Sequence, residues 1–156
     1  MEIERKYFIE CLPVNYTDYP FHRIEQGYLS TAPVVRVRRE DEHFYLTYKS
    51  KGLMVREEYN LPLTKDSYEH LLSKADGLIL TKKRFLIPIE GTALTIELDV
   101  FEGEYQGLVL AEVEFPTEEE ALAFVPPEWF SQDVTFSGEY QNSRLAMNPK
   151  EPSWPL

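Results

Sequence analysis

The stretch Val35-Arg36-Val37-Arg38 alternates apolar and basic side chains, and this alternation decides the fold. Successive side chains in a β-strand point to opposite faces, so a period of two predicts a strand with one apolar and one charged face. The same alternation recurs along the chain, at Glu2/Glu4/Lys6, Lys49/Lys51, Arg56/Glu58, Lys82/Arg84, Glu97/Asp99 and Glu112/Glu114. The chain is therefore predicted to be built on amphipathic strands.

Runs of Val, Ile, Leu, Tyr, Phe and Thr between prolines and glycines extend this prediction to eight strands. They cover residues 1–9, 22–30, 34–41, 43–50, 53–61, 78–88, 92–101 and 108–115. Three helices are predicted over residues 64–75, from Thr117 to Pro126 and over 138–146, with caps at Thr64 or Asp66, at Thr117 and at Ser137. Short connections favour antiparallel pairing, and a large twisted sheet tends to close. The predicted fold is α+β, an eight-stranded antiparallel closed β-barrel with helices packed on the outside.

Length and composition exclude several classes of protein. The 156 residues suit one domain, predicted over 1–147, with an extended C-terminal tail over 148–156. Asp and Glu number 27 against 16 Lys and Arg, and a net charge of −11 argues against non-specific binding to nucleic acid or anionic membranes. No stretch approaches the roughly 18 apolar residues that span a bilayer. A charged N-terminus and a single cysteine, Cys11, favour a cytoplasmic setting.

The charged face of the sheet has two interpretations. An antiparallel sheet often turns one charged face to water, and this explains any single pair of charges. The second interpretation is that the charged faces bind a ligand. It is favoured because basic pairs such as Arg36/Arg38 and acidic pairs such as Glu97/Asp99 lie on separate strands, and like charges on one face repel. In a closed barrel they would line a tunnel, where the cations need a polyanion. Carboxylates without His or Cys need a hard cation such as Mg²⁺ or Mn²⁺, so a polyphosphate with its divalent cation satisfies both sets.

A known family has these motifs in this order. Glu2-Ile3-Glu4-Arg5-Lys6 matches the ExExK motif that opens the CYTH superfamily, the triphosphate tunnel metalloenzymes. The later alternating pairs agree in order, so the chain resembles this superfamily from residue 2 to about 145. Its compact length and the segment 26–29 resemble the small bacterial inorganic triphosphatases most. Asn60 departs from the pattern, since the family often has an acidic residue there. The resemblance implies an eight-stranded barrel whose tunnel holds a triphosphate.

The resemblance implies metal-dependent hydrolysis of a triphosphate, with inorganic tripolyphosphate, a small-molecule polyphosphate, as the substrate and pyrophosphate and orthophosphate as products. Alternatives are a class IV-like adenylate cyclase, a nucleotide or RNA 5′-triphosphatase, and a non-catalytic polyphosphate-binding module. The small members also allow a homodimer, although no interface follows from the sequence. The cofactor is expected to be Mg²⁺ or Mn²⁺.

Each charged pair receives a role in this hypothesis. The residues expected to bind phosphate are Lys6, Arg36, Arg38, Lys49, Lys82 and Arg84. Those expected to hold metal are Glu2, Glu4 and Glu114, with Glu97 and Glu58 as further candidates, and Glu58 could instead pair with Arg56. Those expected to act in catalysis are Glu112 and Asp99, which would orient or deprotonate water, together with Lys6 and Tyr28. Arg5, Arg39 and Lys83 fall on the opposite face and are expected outside the barrel.

Overall fold

A computed structural model describes residues 1–147, and ten strands there form one antiparallel sheet wound into a nearly closed barrel. The predicted tail over 148–156 lies outside the described residues. The strands are β1 (Glu2–Phe8), β2 (Phe21–Thr31), β3 (Val34–Glu40), β4 (His43–Lys49), β5 (Val55–Arg56), β6 (Glu58–Pro62), β7 (Asp76–Pro88), β8 (Thr95–Phe101), β9 (Val109–Glu114) and β10 (Gln132–Asp133). The helices are α1 (Lys65–Leu72), α2 (Glu118–Ala123) and α3 (Asn142–Met147), with short 3₁₀ helices at Tyr16–Asp18 and Gly103–Tyr105.

The order of the strands explains how the barrel closes. The sheet runs β6-β4-β3-β2-β7-β8-β9-β1, and β1 pairs at its beginning with β5 and at its end with β10. Only Glu57 separates β5 from β6, so these two strands return the sheet to β1. The predicted barrel is confirmed, with one strand divided: the predicted strand over 53–61 changes its partner at Glu57, from β1 to β4. The two-residue β10 was not predicted.

The apolar face of the sheet lies outside the barrel, beneath helices and loops. Leu98 and Val113 are completely buried there. α1 starts after Thr64, whose hydroxyl accepts from the Ser67 amide at 3.1 Å, and α2 starts after Thr117 in the same manner. Both helix starts agree with the predicted caps. No helix within residues 1–147 is long and apolar enough to cross a membrane.

The third helix starts later than the sequence predicts. The hydroxyl of Ser137 accepts from the Glu139 amide at 3.3 Å and so closes a turn, while α3 begins only at Asn142. α3 packs against β7 and β2. This approach requires Gly77, which has φ +68° and where a Cβ atom would lie 2.3 Å from the Ala146 carbonyl oxygen. α3 is thereby fixed against the barrel.

Candidate active site

A polar cavity of about 340 Å³ lies inside the barrel. It is lined by the charged faces of the strands, by Gln141 and by the first two residues of α3. The lining residues are Glu2, Glu4, Lys6, Tyr28, Val34, Arg36, Arg38, Glu40, Tyr45, Lys49, Arg56, Glu58, Asn60, Lys82, Arg84, Glu112, Glu114, Gln141, Asn142 and Ser143. The alternating charges therefore converge on an enclosed space. Of the residues predicted to form the site, Asp99 and Glu97 do not line it.

Three carboxylates gather on one side of this cavity. Oxygen atoms of Glu2, Glu4 and Glu114 all lie within 4.8 Å of one another. Burial, then the charges of Glu112 and Glu2, raises the pKa of Glu4 well above its usual value. The pKa of Glu114 is raised to about 7, first by partial burial and then by the negative charges of Glu97 and Glu2. Glu114 is nevertheless more exposed than Glu2 and Glu4. Within residues 1–147 neither Glu4 nor Glu114 forms an ion pair. Such crowded oxygens fit a hard divalent cation.

Two arginines of β3 form a basic side of the cavity. Arg36 donates from Nη2 to the Thr47 hydroxyl at 3.3 Å, and its Nε is buried without a partner among residues 1–147. Arg38 donates from Nε to Gln26 Oε1 at 2.8 Å. Burial, then the charges of Arg36 and Arg84, lowers the pKa of Arg38 to about 10. Neither arginine pairs with a carboxylate in the described chain, so an anion entering the cavity would relieve their repulsion.

Asp99 lies behind the lining and holds two of its cations. Lys82 donates from Nζ to Asp99 Oδ2 at 2.7 Å, and Arg84 donates from Nε and Nη2 to its two oxygens at 2.8 and 2.9 Å. Asp99 is completely buried, and Arg84 and Lys82 outweigh that burial and lower its pKa. Glu97 accepts from Arg84 Nη1 at 3.1 Å. These contacts suit residues that position Lys82 and Arg84, and the water-activating role expected for Asp99 stays a prediction.

Glu112 links β1 to β7 across the cavity. Its Oε1 accepts from Arg84 Nη2 at 2.7 Å, and its Oε2 lies 3.2 Å from Lys6 Nζ. Lys6 and Arg84 outweigh burial and hold the pKa of Glu112 well below its usual value. Tyr28 lines the cavity beside this group, and its hydroxyl accepts from Gln26 Nε2 at 3.2 Å. Glu112 is therefore an anionic acceptor held between two cations.

Lys49 and Glu58 face each other across β4 and β6. Lys49 Nζ lies 3.0 Å from Glu2 Oε1 and 3.3 Å from Glu58 Oε2. Arg56 approaches Glu2 instead, at 3.9 Å. The expected pairing of Glu58 with Arg56 is wrong, because the chain changes sheet partner at Glu57 and aligns Glu58 with Lys49.

The neighbours of the charged pairs lie outside the barrel, as the period of two predicts. Arg39 pairs with Glu42 at 2.7 Å, and Lys83 lies over the ring of Phe21 at 5.4 Å. Arg5 lies on the outer side of β1, where its Nη2 forms an ion pair with Asp133 Oδ2 at 2.6 Å. These residues offer matched controls for the inward-facing cations beside them.

Several residues that line the cavity or lie directly behind its lining were not assigned a role from the sequence. Glu40 and Gln26 share strand faces with Arg38 and Tyr28, so the period of two could have found them. Asn60 lies beside Glu58 and accepts from the Thr47 hydroxyl at 2.6 Å. No strand pattern indicates Asn142, because it reaches the cavity from a helix.

Comparison with known proteins agrees with this geometry. The CYTH domain model matches residues 1–133. The chain belongs to the CYTH family. This CYTH protein is 36% identical over 152 residues to an inorganic triphosphatase of Nitrosomonas europaea, covering 94% of this chain and 97% of that protein. It is 37% identical over 131 residues to an inorganic triphosphatase of Acetivibrio thermocellus, covering 80% of each. A crystal structure of an inorganic triphosphatase is similar to it with a TM-score of 0.70 at 32% identity, covering 95% of each chain.

Proposed function

We propose that this CYTH protein hydrolyses inorganic tripolyphosphate to pyrophosphate and orthophosphate, using Mg²⁺ or Mn²⁺. The main support is that one cavity inside the barrel contains both a carboxylate cluster suited to a hard cation and buried arginines that have no carboxylate partner within residues 1–147. A polyphosphate that enters with its cation satisfies both sides at once. Two relatives of nearly the same length that are named inorganic triphosphatases also support this reaction and substrate.

Glu2, Glu4 and Glu114 would hold the cation, since their oxygens already lie within 4.8 Å of one another. When bound, the cation would polarise phosphate oxygens and offset negative charge in the transition state. Glu4 and Glu114 would both bind it as carboxylates, so cation binding would oppose the burial and neighbouring charges that raise both pKa values.

Phosphate oxygens would be bound by the basic residues that line the cavity. Arg36 and Arg38 suit this role because each planar guanidinium can bind two oxygens together. The remaining phosphate-binding residues are each held by a carboxylate before substrate arrives; they are Lys6, Lys49, Lys82 and Arg84. Such prior orientation leaves less side-chain freedom to be lost on binding.

Glu112 would orient the attacking water. Its low pKa makes it a better hydrogen-bond acceptor than proton carrier, which suits a reaction governed by positioning and charge. The water oxygen bonds to the terminal phosphorus, the bridging P–O bond breaks, and pyrophosphate leaves; one proton of the water stays on the orthophosphate and the other passes to the pyrophosphate. Tyr28 would contact the substrate from β2, while Asp99 and Glu97 would orient Arg84, and Glu58 would orient Lys49.

Neighbouring pairs of cations test the proposal, because one member faces the cavity and the other faces outward. We expect Arg38→Met and Lys82→Met to lower kcat/KM for tripolyphosphate by about 100-fold or more, the size of a lost charged contact in a desolvated site. Arg39→Met and Lys83→Met should stay within about threefold of the wild type, since both lie outside the cavity. Equal losses in the inner and outer variants would contradict the proposal.

The wild-type protein is compared on tripolyphosphate, ATP, thiamine triphosphate and a 5′-triphosphate RNA, with orthophosphate, pyrophosphate and cyclic AMP measured separately. The proposal expects equal amounts of orthophosphate and pyrophosphate from tripolyphosphate, and no turnover after metal removal. Cyclic AMP from ATP would favour the cyclase instead, and binding without turnover would favour a polyphosphate-binding module. The proposed setting is the cytoplasm, which the single cysteine favours, and a homodimer stays a prediction.

A further inference from the structure

A short series of amide side chains joins α3 to the basic side of the cavity. Asn142 Oδ1 accepts from Lys82 Nζ at 2.8 Å and from Gln26 Nε2 at 3.0 Å. Gln26 Oε1 accepts from Arg38 Nε at 2.8 Å. Gln26 is completely buried and Lys82 is 1% exposed, so water cannot readily replace these contacts. The two amides therefore connect one helix to two cations on different strands.

We infer that Asn142 and Gln26 are positioning residues that aim Lys82 and Arg38 at the bound polyphosphate. The inference rests on the proposed function, because it takes these cations to be the ones that bind phosphate. Neither amide has been given a role by the sequence pattern, and neither carries a charge of its own. Their effect on the substrate passes through the two cations that they hold.

The hydrogen-bond capacity of Lys82 supports this role. A lysine ammonium has three N–H donors, and Asp99 and Asn142 accept two of them. The third remains for the cavity that Lys82 lines. Without the Asn142 oxygen, the ammonium could rotate toward other acceptors and would lose its fixed direction.

Arg38 is held in a comparable way. Its Nε donates to Gln26, while its two terminal nitrogens have no hydrogen-bond partner within residues 1–147. Those terminal nitrogens form the end of the guanidinium that can bind phosphate oxygens. Gln26 can present its oxygen to Arg38 only while its NH₂ group faces Asn142, so the two amides fix each other's orientation. A single side chain of α3, that of Asn142, thus holds Gln26 on β2 and Lys82 on β7, and Gln26 in turn holds Arg38 on β3.

Two apolar replacements of similar size test the inference, Asn142→Leu and Gln26→Met, together with the double variant. Tripolyphosphate affinity is measured by calorimetry with EDTA present, so that no turnover occurs. We expect each single variant to weaken binding about 30-fold, equal to about 2 kcal/mol, and to raise KM similarly with kcat within about threefold. The double variant should lose little more than either single variant, because both act in one network.

Three measurements separate positioning from a loss of structure. Mn²⁺ affinity without tripolyphosphate should be unchanged, because the carboxylate cluster lies outside the amide network. Leu145→Ala removes buried packing from α3 without touching the network, so it should lower the melting temperature and leave tripolyphosphate affinity intact. A comparable loss of affinity in Leu145→Ala, or additive losses in the double variant, would overturn the inference.

The outcomes also distinguish the inference from the proposed function. If the wild-type protein binds and hydrolyses tripolyphosphate while Asn142→Leu and Gln26→Met bind it equally well, the inference alone fails. If the wild-type protein neither binds nor hydrolyses tripolyphosphate, both fail.

Discussion

Replacement of Asp99 by asparagine tests whether this residue holds the cations of the cavity. The Asp99 carboxylate is completely buried and accepts three hydrogen bonds, one from Lys82 and two from Arg84. Asparagine keeps the shape but puts an NH₂ donor against donors and removes the negative charge. Breaking a buried ion pair by removing one partner costs about 3 to 5 kcal/mol, so we expect Asp99→Asn to lower the free energy of unfolding by that amount.

Glu97→Gln is the matched control, because it makes the same chemical change on the same strand beside the same arginine. The Glu97 side chain is 23% exposed and has one contact with Arg84, at 3.1 Å. Burial, only partly offset by Arg84, raises the pKa of Glu97, so ionisation of this carboxyl costs more here than in water. We expect a loss below about 1 kcal/mol for Glu97→Gln.

Both variants are measured by urea unfolding at pH 7, with the slope m compared with that of the wild type. A loss of about 3 to 5 kcal/mol is a large part of the stability of a single domain, so the midpoint should fall clearly while m stays constant. Asp99→Asn should also weaken tripolyphosphate binding, since Lys82 and Arg84 lose their anchor. Equal losses of stability in the two variants, or a loss below about 1 kcal/mol for Asp99→Asn, would refute the reasoning.

Three further predictions concern the carboxylate cluster of Glu2, Glu4 and Glu114 and the outside of the barrel. Glu4→Gln should weaken Mn²⁺ binding by about tenfold or more in calorimetry, while the exposed Glu118→Gln should not change it. Because burial and neighbouring carboxylates raise the pKa of Glu114 to about 7 and also raise that of Glu4, and both must be ionised to bind a cation, Mn²⁺ affinity should fall by about tenfold or more per pH unit below about pH 7; constant affinity there would contradict this. Arg5 donates to the Ala121 carbonyl and to Asp133 outside the barrel, so Arg5→Met should cost about 2 to 3 kcal/mol in urea unfolding and leave KM for tripolyphosphate unchanged.

The strands and the charged lining could be predicted because both depend on a local period of two. The alternation at residues 35–38 places Arg36 and Arg38 inside the barrel without any knowledge of tertiary structure, and Lys83 lies outside by the same rule. The closure followed from the number of strands and their short connections. The carboxylates of the proposed metal site come from positions 2, 4 and 114, far apart in the sequence, and their common face already followed from the pattern.

Other features depend on tertiary contacts that no local pattern encodes. The change of sheet partner at Glu57 arises because the two halves of one predicted strand pair with different neighbours. Asp99 has the same period as the lining residues, yet Lys82 and Arg84 cover it. Asn142 reaches the cavity only because α3 docks against β7, where Gly77 allows close approach.

A crystal structure with Mn²⁺ and tripolyphosphate, with the metal located by anomalous scattering, tests most directly whether the cavity binds a polyphosphate with its cation. We expect the manganese signal between the carboxylates of Glu2, Glu4 and Glu114, with phosphate groups against Arg36 and Arg38. Manganese and tripolyphosphate bound only on the outer surface of the barrel, with these side chains paired among themselves inside, would contradict the account.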